Sequence, residues 1–113
     1  MLSTIGEHAI GHVSQIPRGE GRTFDVGGER VAVFRTWGEE VFATQAHCPH
    51  RGGPLADGLT GDGVVICPLH DRTYNLRDGQ GVNTDCHITV YPARVTADGT
   101  ILLTLGPGRN PAR

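Results

Sequence analysis

The chain contains no lysine in its 113 residues, and its ten cations are all arginines scattered along the sequence. With a formal net charge of −2 it offers no basic face to hold nucleic acid. No apolar run approaches the roughly 18 residues that a membrane span requires. Residues 1–10 carry no cation, and the first arginine is Arg18. A secretory signal needs a basic start and an apolar stretch, and neither is found. The expected compartment is therefore the cytoplasm, where thiols stay reduced. Cysteine is sparse, at 3 residues. An odd, small number in that setting reads as metal ligands or inert thiols rather than a disulfide framework. No Gly-x-Gly-x-x-Gly fingerprint, P-loop or nucleophile–base pair occurs, so binding of nicotinamide or flavin by this chain is not expected. Sustained helical periodicity, internal repeats and a domain linker are missing too.

What is abundant is glycine, with 17 residues, alongside 7 prolines. Apolar residues, glycine included, make up about half the chain, the ordinary globular share. Leu, Ile, Val and Phe form about a quarter of it, above the range where disorder sets in. Residues 1–113 are expected to form a single domain with one modest core, and 106–113 a loose tail.

The pattern is β almost throughout, with Gly-rich punctuation at short intervals. His8 to Ile16 reads as a first strand ended by Pro17, and Arg22 to Val26 as a second. Gly27-Gly28 turns it into Arg30 to Thr36, where Val31, Val33 and Arg35 alternate with Ala32 and Phe34, so both faces are partly covered. Gly38-Glu39 leads into Val41 to Ala46, making a hairpin with the preceding strand. Val64 to Ile66 is a short buried strand, and Asp78-Gly79 a turn. Ile88 to Val95 is a longer strand whose Pro92 marks an edge or a bulge. Asp98-Gly99 turns it into Ile101 to Leu105. One helical turn fits Leu55 to Leu59. The expected fold class is all-β, a small antiparallel sandwich or barrel.

Two stretches break the strand pattern. Cys48-Pro49-His50-Arg51-Gly52-Gly53-Pro54-Leu55 and Cys67-Pro68-Leu69-His70-Asp71 each hold one Cys and one His, with 16 residues between His50 and Cys67. Each follows a strand, and each has proline after its cysteine. They read as two stiff loops at one end of a β scaffold, each presenting a thiolate and an imidazole. Such a set of Cys48, His50, Cys67 and His70 can hold one tetrahedral zinc or an iron–sulfur pair. Gly52-Gly53 permits positive φ and a close backbone approach to the bound group.

Cys48-x-His50 with Gly52 and Leu55, followed by Cys67-Pro68-x-His70, resembles the Rieske [2Fe–2S] motif. The likeness extends over most of the chain, through Val41-Phe42-Ala43-Thr44 and Tyr91-Pro92-Ala93-Arg94-Val95. It implies a [2Fe–2S] cluster with Cys48 and Cys67 on one iron and His50 and His70 on the other. With neutral imidazoles the oxidised cluster is uncharged, where an all-cysteine cluster carries two negative charges, so an electron is added more easily. The imidazoles also imply proton-coupled reduction, with proton loss favouring the oxidised cluster. A cluster with four protein ligands leaves no open position for substrate, so the implied role is one-electron transfer with no substrate site in this chain.

Cys-Pro-His-Arg-Gly-Gly-Pro-Leu and Cys-Pro-Leu-His most resemble small subunits of NAD(P)H-dependent assimilatory nitrite reductases. That likeness implies a large-subunit partner carrying flavin, siroheme and a [4Fe–4S] cluster. The alternative partners are a flavin reductase and an oxygenase, with this chain as the ferredoxin component of an aromatic-ring dioxygenase system. A structural Cys₂His₂ zinc module is the alternative outside electron transfer.

Rieske proteins of cytochrome bc complexes carry an extra cysteine in each loop, where Gly53 and Leu69 stand here, so their disulfide is absent. They also carry serine where Arg72 stands and tyrosine at the position of Tyr74. Tyr74 is thus expected to reach a cysteine sulfur, and the potential to fall in the low-to-middle Rieske range. Nitrite reductase small subunits usually have Trp in place of Arg72. Among the remaining residues, His47 reads as surface, and His8, His12 and His87 as ordinary strand positions. Cys86 reads as a buried apolar thiol. Trp37 sits at a hairpin turn, as a structural or a docking aromatic. Arg51 and Arg72 flank the loops, either as solvated charges or as a positive collar for an acidic partner.

Overall fold

The computed structural model describes residues 6–38, 40–49, 52–61, 63–69 and 71–105. The expected tail lies outside them. Ten strands occur among the described residues: β1 (Gly6–His12), β2 (Glu20–Val26), β3 (Glu29–Arg35), β4 (Val41–Gln45), β5 (Leu59–Gly61), β6 (Val64–Ile66), β7 (Thr73–Asn75), β8 (Val90–Tyr91), β9 (Ala93–Val95) and β10 (Thr100–Leu105). Short 3-10 turns span Val13–Gln15 and Leu55–Asp57. The strands form three antiparallel sheets, ordered β1-β10-β9, β2-β3-β4-β8 and β5-β6-β7.

Strand β3 explains how the three sheets hold together. Val31, Ala32, Val33 and Phe34 are all fully buried. Successive side chains point to opposite faces, so both faces of this strand are covered. Val31 and Val33 join Val41, Ala43, Ile101 and Leu103 in one core, between the four-stranded sheet and the β1-β10-β9 sheet. Ala32 and Phe34 join Cys48, Leu55, Val65, Cys67, Tyr74 and Ile88 in a second core. Full burial of a side chain such as Phe34 contributes about 1.5–3 kcal/mol. The β2–β3 hairpin closes through Gly27 and Gly28, with φ of 57° and 84°. A two-residue turn of that hand needs positive φ at both positions.

The second core belongs to the segment between β4 and β8. Its ends are pinned together because these strands pair, Thr44 opposite Val90 and Ala43 opposite Tyr91. Whatever the segment carries is therefore anchored to the middle of the scaffold.

Three sequence expectations need correction. The first strand stops at His12, not Ile16, because the His12 ring accepts the Ser14 N–H and caps the 3-10 turn, while Gln15 reaches back to the His12 N–H. His12 is accordingly a capping residue, and its other ring nitrogen lies 2.8 Å from the Asp98 carbonyl oxygen. The strand expected over Ile88 to Val95 is two strands in different sheets, β8 and β9. Pro92 sits at the break, where its missing N–H ends the ladder and its carbonyl accepts the Thr104 N–H at 2.9 Å. The helical turn expected at Leu55 to Leu59 covers only Leu55–Asp57, and Leu59 already belongs to β5.

Candidate metal centre

The two cysteine loops share one backbone design. In the first, the Cys48 N–H donates to the Gly53 carbonyl at 2.8 Å, and the Gly52 N–H returns to the Cys48 carbonyl at 2.8 Å. In the second, the Cys67 N–H donates to the Arg72 carbonyl at 2.8 Å, and the Asp71 N–H returns to the Cys67 carbonyl at 3.2 Å. The offsets from the cysteine are the same in both. So is the position of the left-handed residue, Gly52 with φ 73° and Asp71 with φ 57°. Glycine takes that conformation freely, and aspartate is among the few other residues that tolerate it.

Both cysteines are buried, and they belong to the same core cluster. No disulfide joins them. The loops meet at Gly53, where an added Cβ would lie 2.9 Å from Cys67 Sγ and 3.0 Å from Leu69 Cγ. Glycine there lets the backbone of the first loop lie against the sulfur of the second. The close approach expected of Gly52-Gly53 is thus carried by Gly53, and the positive φ by Gly52.

Tyr74 supplies a second link between the loops. It lies on β7, opposite Val65 of β6, just past the second loop. Its hydroxyl is 3.2 Å from Cys48 Sγ in the first. The sequence expectation that Tyr74 reaches a cysteine sulfur is met. The ring is fully buried. Burial first, and the facing Cys48 sulfur second, hold the Tyr74 hydroxyl well above its ordinary pKa. The residue therefore stays protonated and able to donate at any physiological pH.

His50, His70 and Arg51 lie outside the described residues. His47 is exposed and bridges Pro54, and His8 is exposed on β1. His87 is exposed and bridges Gln80. Cys86 is half-buried and packs against the core that holds the two loop cysteines, so it is less enclosed than expected. Arg72 is half-buried rather than a solvated flank. Trp37 is 70 % exposed, with its indole against Gly19, where a Cβ would lie 2.5 Å from Nε1.

Sequence reasoning missed Gln45 and Asn83, whose side-chain amides hold the ends of the two loops. A polar residue at a strand end or in a loop carries no sequence signal of that use.

The donor set fits a metal–sulfur group. Two buried sulfurs not joined by a disulfide sit on loops that touch, and a buried hydroxyl faces one of them. A β scaffold that anchors such loops defines a small metal–sulfur protein. The profile of the Rieske [2Fe–2S] domain matches residues 6–92, and the chain belongs to this family. Along 92 % of its length it is 32 % identical to the anthranilate 1,2-dioxygenase ferredoxin subunit of Burkholderia cepacia, covering 97 % of that protein. Among solved structures, it superposes with a TM-score of 0.85 on one assigned as the small subunit of an NADH-dependent nitrite reductase from Mycobacterium tuberculosis. That match is 25 % identical and covers 93 % of this chain and 99 % of the other. The ferredoxin of carbazole 1,9a-dioxygenase from Nocardioides aromaticivorans superposes with a TM-score of 0.78, at 25 % identity, over 90 % of this chain and 99 % of its own. The protein is a Rieske-type electron-transfer ferredoxin, and its cofactor is a [2Fe–2S] cluster.

Proposed function

We propose that Cys48 and Cys67 bind one iron and His50 and His70 the other, and that the chain is the small subunit of an assimilatory NAD(P)H nitrite reductase. The cluster, when bound, takes up and releases one electron. Around it this chain's residues do three things. The paired loops fix the directions of the two sulfurs. Gly53 keeps the space beside Cys67 free of a side chain. Tyr74 donates to Cys48 Sγ, which as a metal-bound thiolate has no proton of its own. Because hydrogen bonds to a thiolate strengthen as its charge grows, Tyr74 favours the reduced form. Residues 1–113 work as one electron-carrying domain in this reading.

The observation that carries the finer assignment is the superposition on the nitrite reductase small subunit along nearly its whole length. The loop residues Cys48 to Leu55 and Cys67 to His70 agree with it. The second reading, a dioxygenase ferredoxin, rests on the identity to the anthranilate dioxygenase subunit over nearly all of that protein. Reconstitution separates the two. The chain is mixed with a siroheme-containing nitrite reductase large subunit, and in parallel with a flavin reductase and a Rieske oxygenase. NAD(P)H-dependent nitrite consumption that requires the chain is the expected result. Electron delivery to the oxygenase, with none to nitrite, overturns it.

A further inference from the structure

Two side-chain amides hold the cysteine loops, one at the entry of the first and one at the exit of the second, and one stretch of chain joins them. Asn83 Nδ2 donates to the Asp71 carbonyl at 3.0 Å, and Asn83 Oδ1 accepts the Thr73 N–H at 2.8 Å. This pair replaces one rung of a β ladder at the exit of the second loop, where Asp71 holds its positive φ. The Val82 N–H adds a bond to the Thr73 carbonyl at 2.8 Å. At the entry of the first loop, Gln45 Nε2 donates to the His47 carbonyl at 2.7 Å, and Gln45 Oε1 accepts the Thr89 N–H at 2.7 Å. The Gln45 N–H also donates to the Thr89 carbonyl at 2.9 Å. Asn83 and Thr89 both belong to the segment 82–89. Between them Ile88 is buried in the core that contains Cys48, Cys67 and Tyr74, and Cys86 packs against it.

We infer that the segment 82–89 is a strap that sets the two cysteine loops relative to each other, with Asn83 and Gln45 as positioning residues for the cluster. The inference rests on the reading that Cys48 and Cys67 bind it. A group shared by two loops demands that their ligands be held within a fraction of an ångström. Loops outside a regular ladder lack the strand partners that would do so. A primary amide carries one acceptor and a donor group in a single plane, so it substitutes for a strand's carbonyl and N–H together. Asn83 does this for the second loop. Gln45 divides the two roles, its donor holding the His47 carbonyl of the first loop and its acceptor taking the Thr89 N–H of the same strap.

The test uses the cluster-loaded full chain and the variants Asn83→Leu, Asn83→Asp and Gln45→Glu. Asn83→Leu removes both bonds. The two isosteric changes keep the accepting oxygen and replace the donor with a second oxygen, so they cover the case in which Asn83→Leu fails to fold. Two quantities are read: loss of visible absorbance under a chelator, and hydrogen exchange of peptides covering 46–55 by mass spectrometry. In the Asn83 variants cluster loss is expected to quicken about tenfold, the weight of one or two lost hydrogen bonds. Exchange should also rise in 46–55, a loop that Asn83 does not bond. A merely local role would loosen only the second loop. Cluster loss and 46–55 exchange unchanged from wild type in the Asn83 variants overturn the strap. A wild-type protein without a Rieske spectrum instead overturns the ligand reading.

Discussion

Tyr74→Phe isolates one atom in the account. It removes a hydroxyl whose oxygen is 3.2 Å from Cys48 Sγ and leaves a fully buried ring in place. The fold should persist, because the ring still fills its site in the second core. A hydrogen bond to a charged group contributes about 1.5–3 kcal/mol in all. Only the part that differs between redox states moves the potential. The thiolate is present in both states and gains a fraction of one charge on reduction, so a difference of about 1 kcal/mol is reasonable. One electron converts that to roughly 40 mV. The variant should therefore have a midpoint potential about 40 mV below wild type, with its visible spectrum retained. Voltammetry of both proteins at one pH measures it. A potential unchanged within a few millivolts, or shifted upward, refutes the argument that Tyr74 donates to a metal-bound Cys48.

Gly53→Ala should separate the apo and loaded proteins. The new Cβ would meet Cys67 Sγ at 2.9 Å and Leu69 Cγ at 3.0 Å; the exposed Leu69 side chain can turn aside in either form, and the Cys67 sulfur can shift without the cluster but not when held by iron. An overpacking cost of about 1–3 kcal/mol should thus fall on the loaded form alone, seen as faster cluster loss with the apo Tm nearly unchanged. Gly52→Ala and Asp71→Gly should act in opposite directions at equivalent loop positions. Nothing lies within 4 Å of a Cβ at Gly52, so alanine there loses about 1 kcal/mol of backbone energy, while glycine at 71 gains up to a similar amount; thermal melts read both. Glu7 gives a pH test. Its hydrogen bonds to Arg94, and then the Arg94 charge, hold its carboxyl below its ordinary value. The stabilisation is therefore complete above that value and fades as pH falls through the lowered one. The Tm gap between wild type and Glu7→Gln should close in acid and shrink in high salt.

The parts legible in the sequence were those with local signals. Gly27-Gly28 marked a hairpin that the structure contains, and the apolar run Val31 to Phe34 pointed to a strand covered on both faces. Cys48 and Cys67 stand out by motif, and Tyr74 by resemblance, and the structure places all three in one core. The rest depended on long-range pairing. Strands β5 and β7 have 3 residues each, too few for a period-two pattern, and become strands only because β6 lies between them. Pro92 reads as an edge position or a bulge within one strand, since sequence cannot distinguish these from a change of sheet. His12 reads as a strand residue until its partners Ser14 and Asp98 are seen. Gln45 and Asn83 act through single bonds to residues whose position only the fold determines.

The central claim is that His50 and His70 complete the ligand set begun by Cys48 and Cys67. Pulsed EPR of the reduced wild-type protein tests it most directly, with samples grown on natural and on ¹⁵N-labelled histidine. The account predicts a brown protein with a reduced-state signal of low average g. That signal should show couplings to two histidine nitrogens, both altered by the label, and His70→Ala should assemble no cluster and give no such signal. A colourless protein holding one zinc, or a signal without histidine couplings, contradicts it.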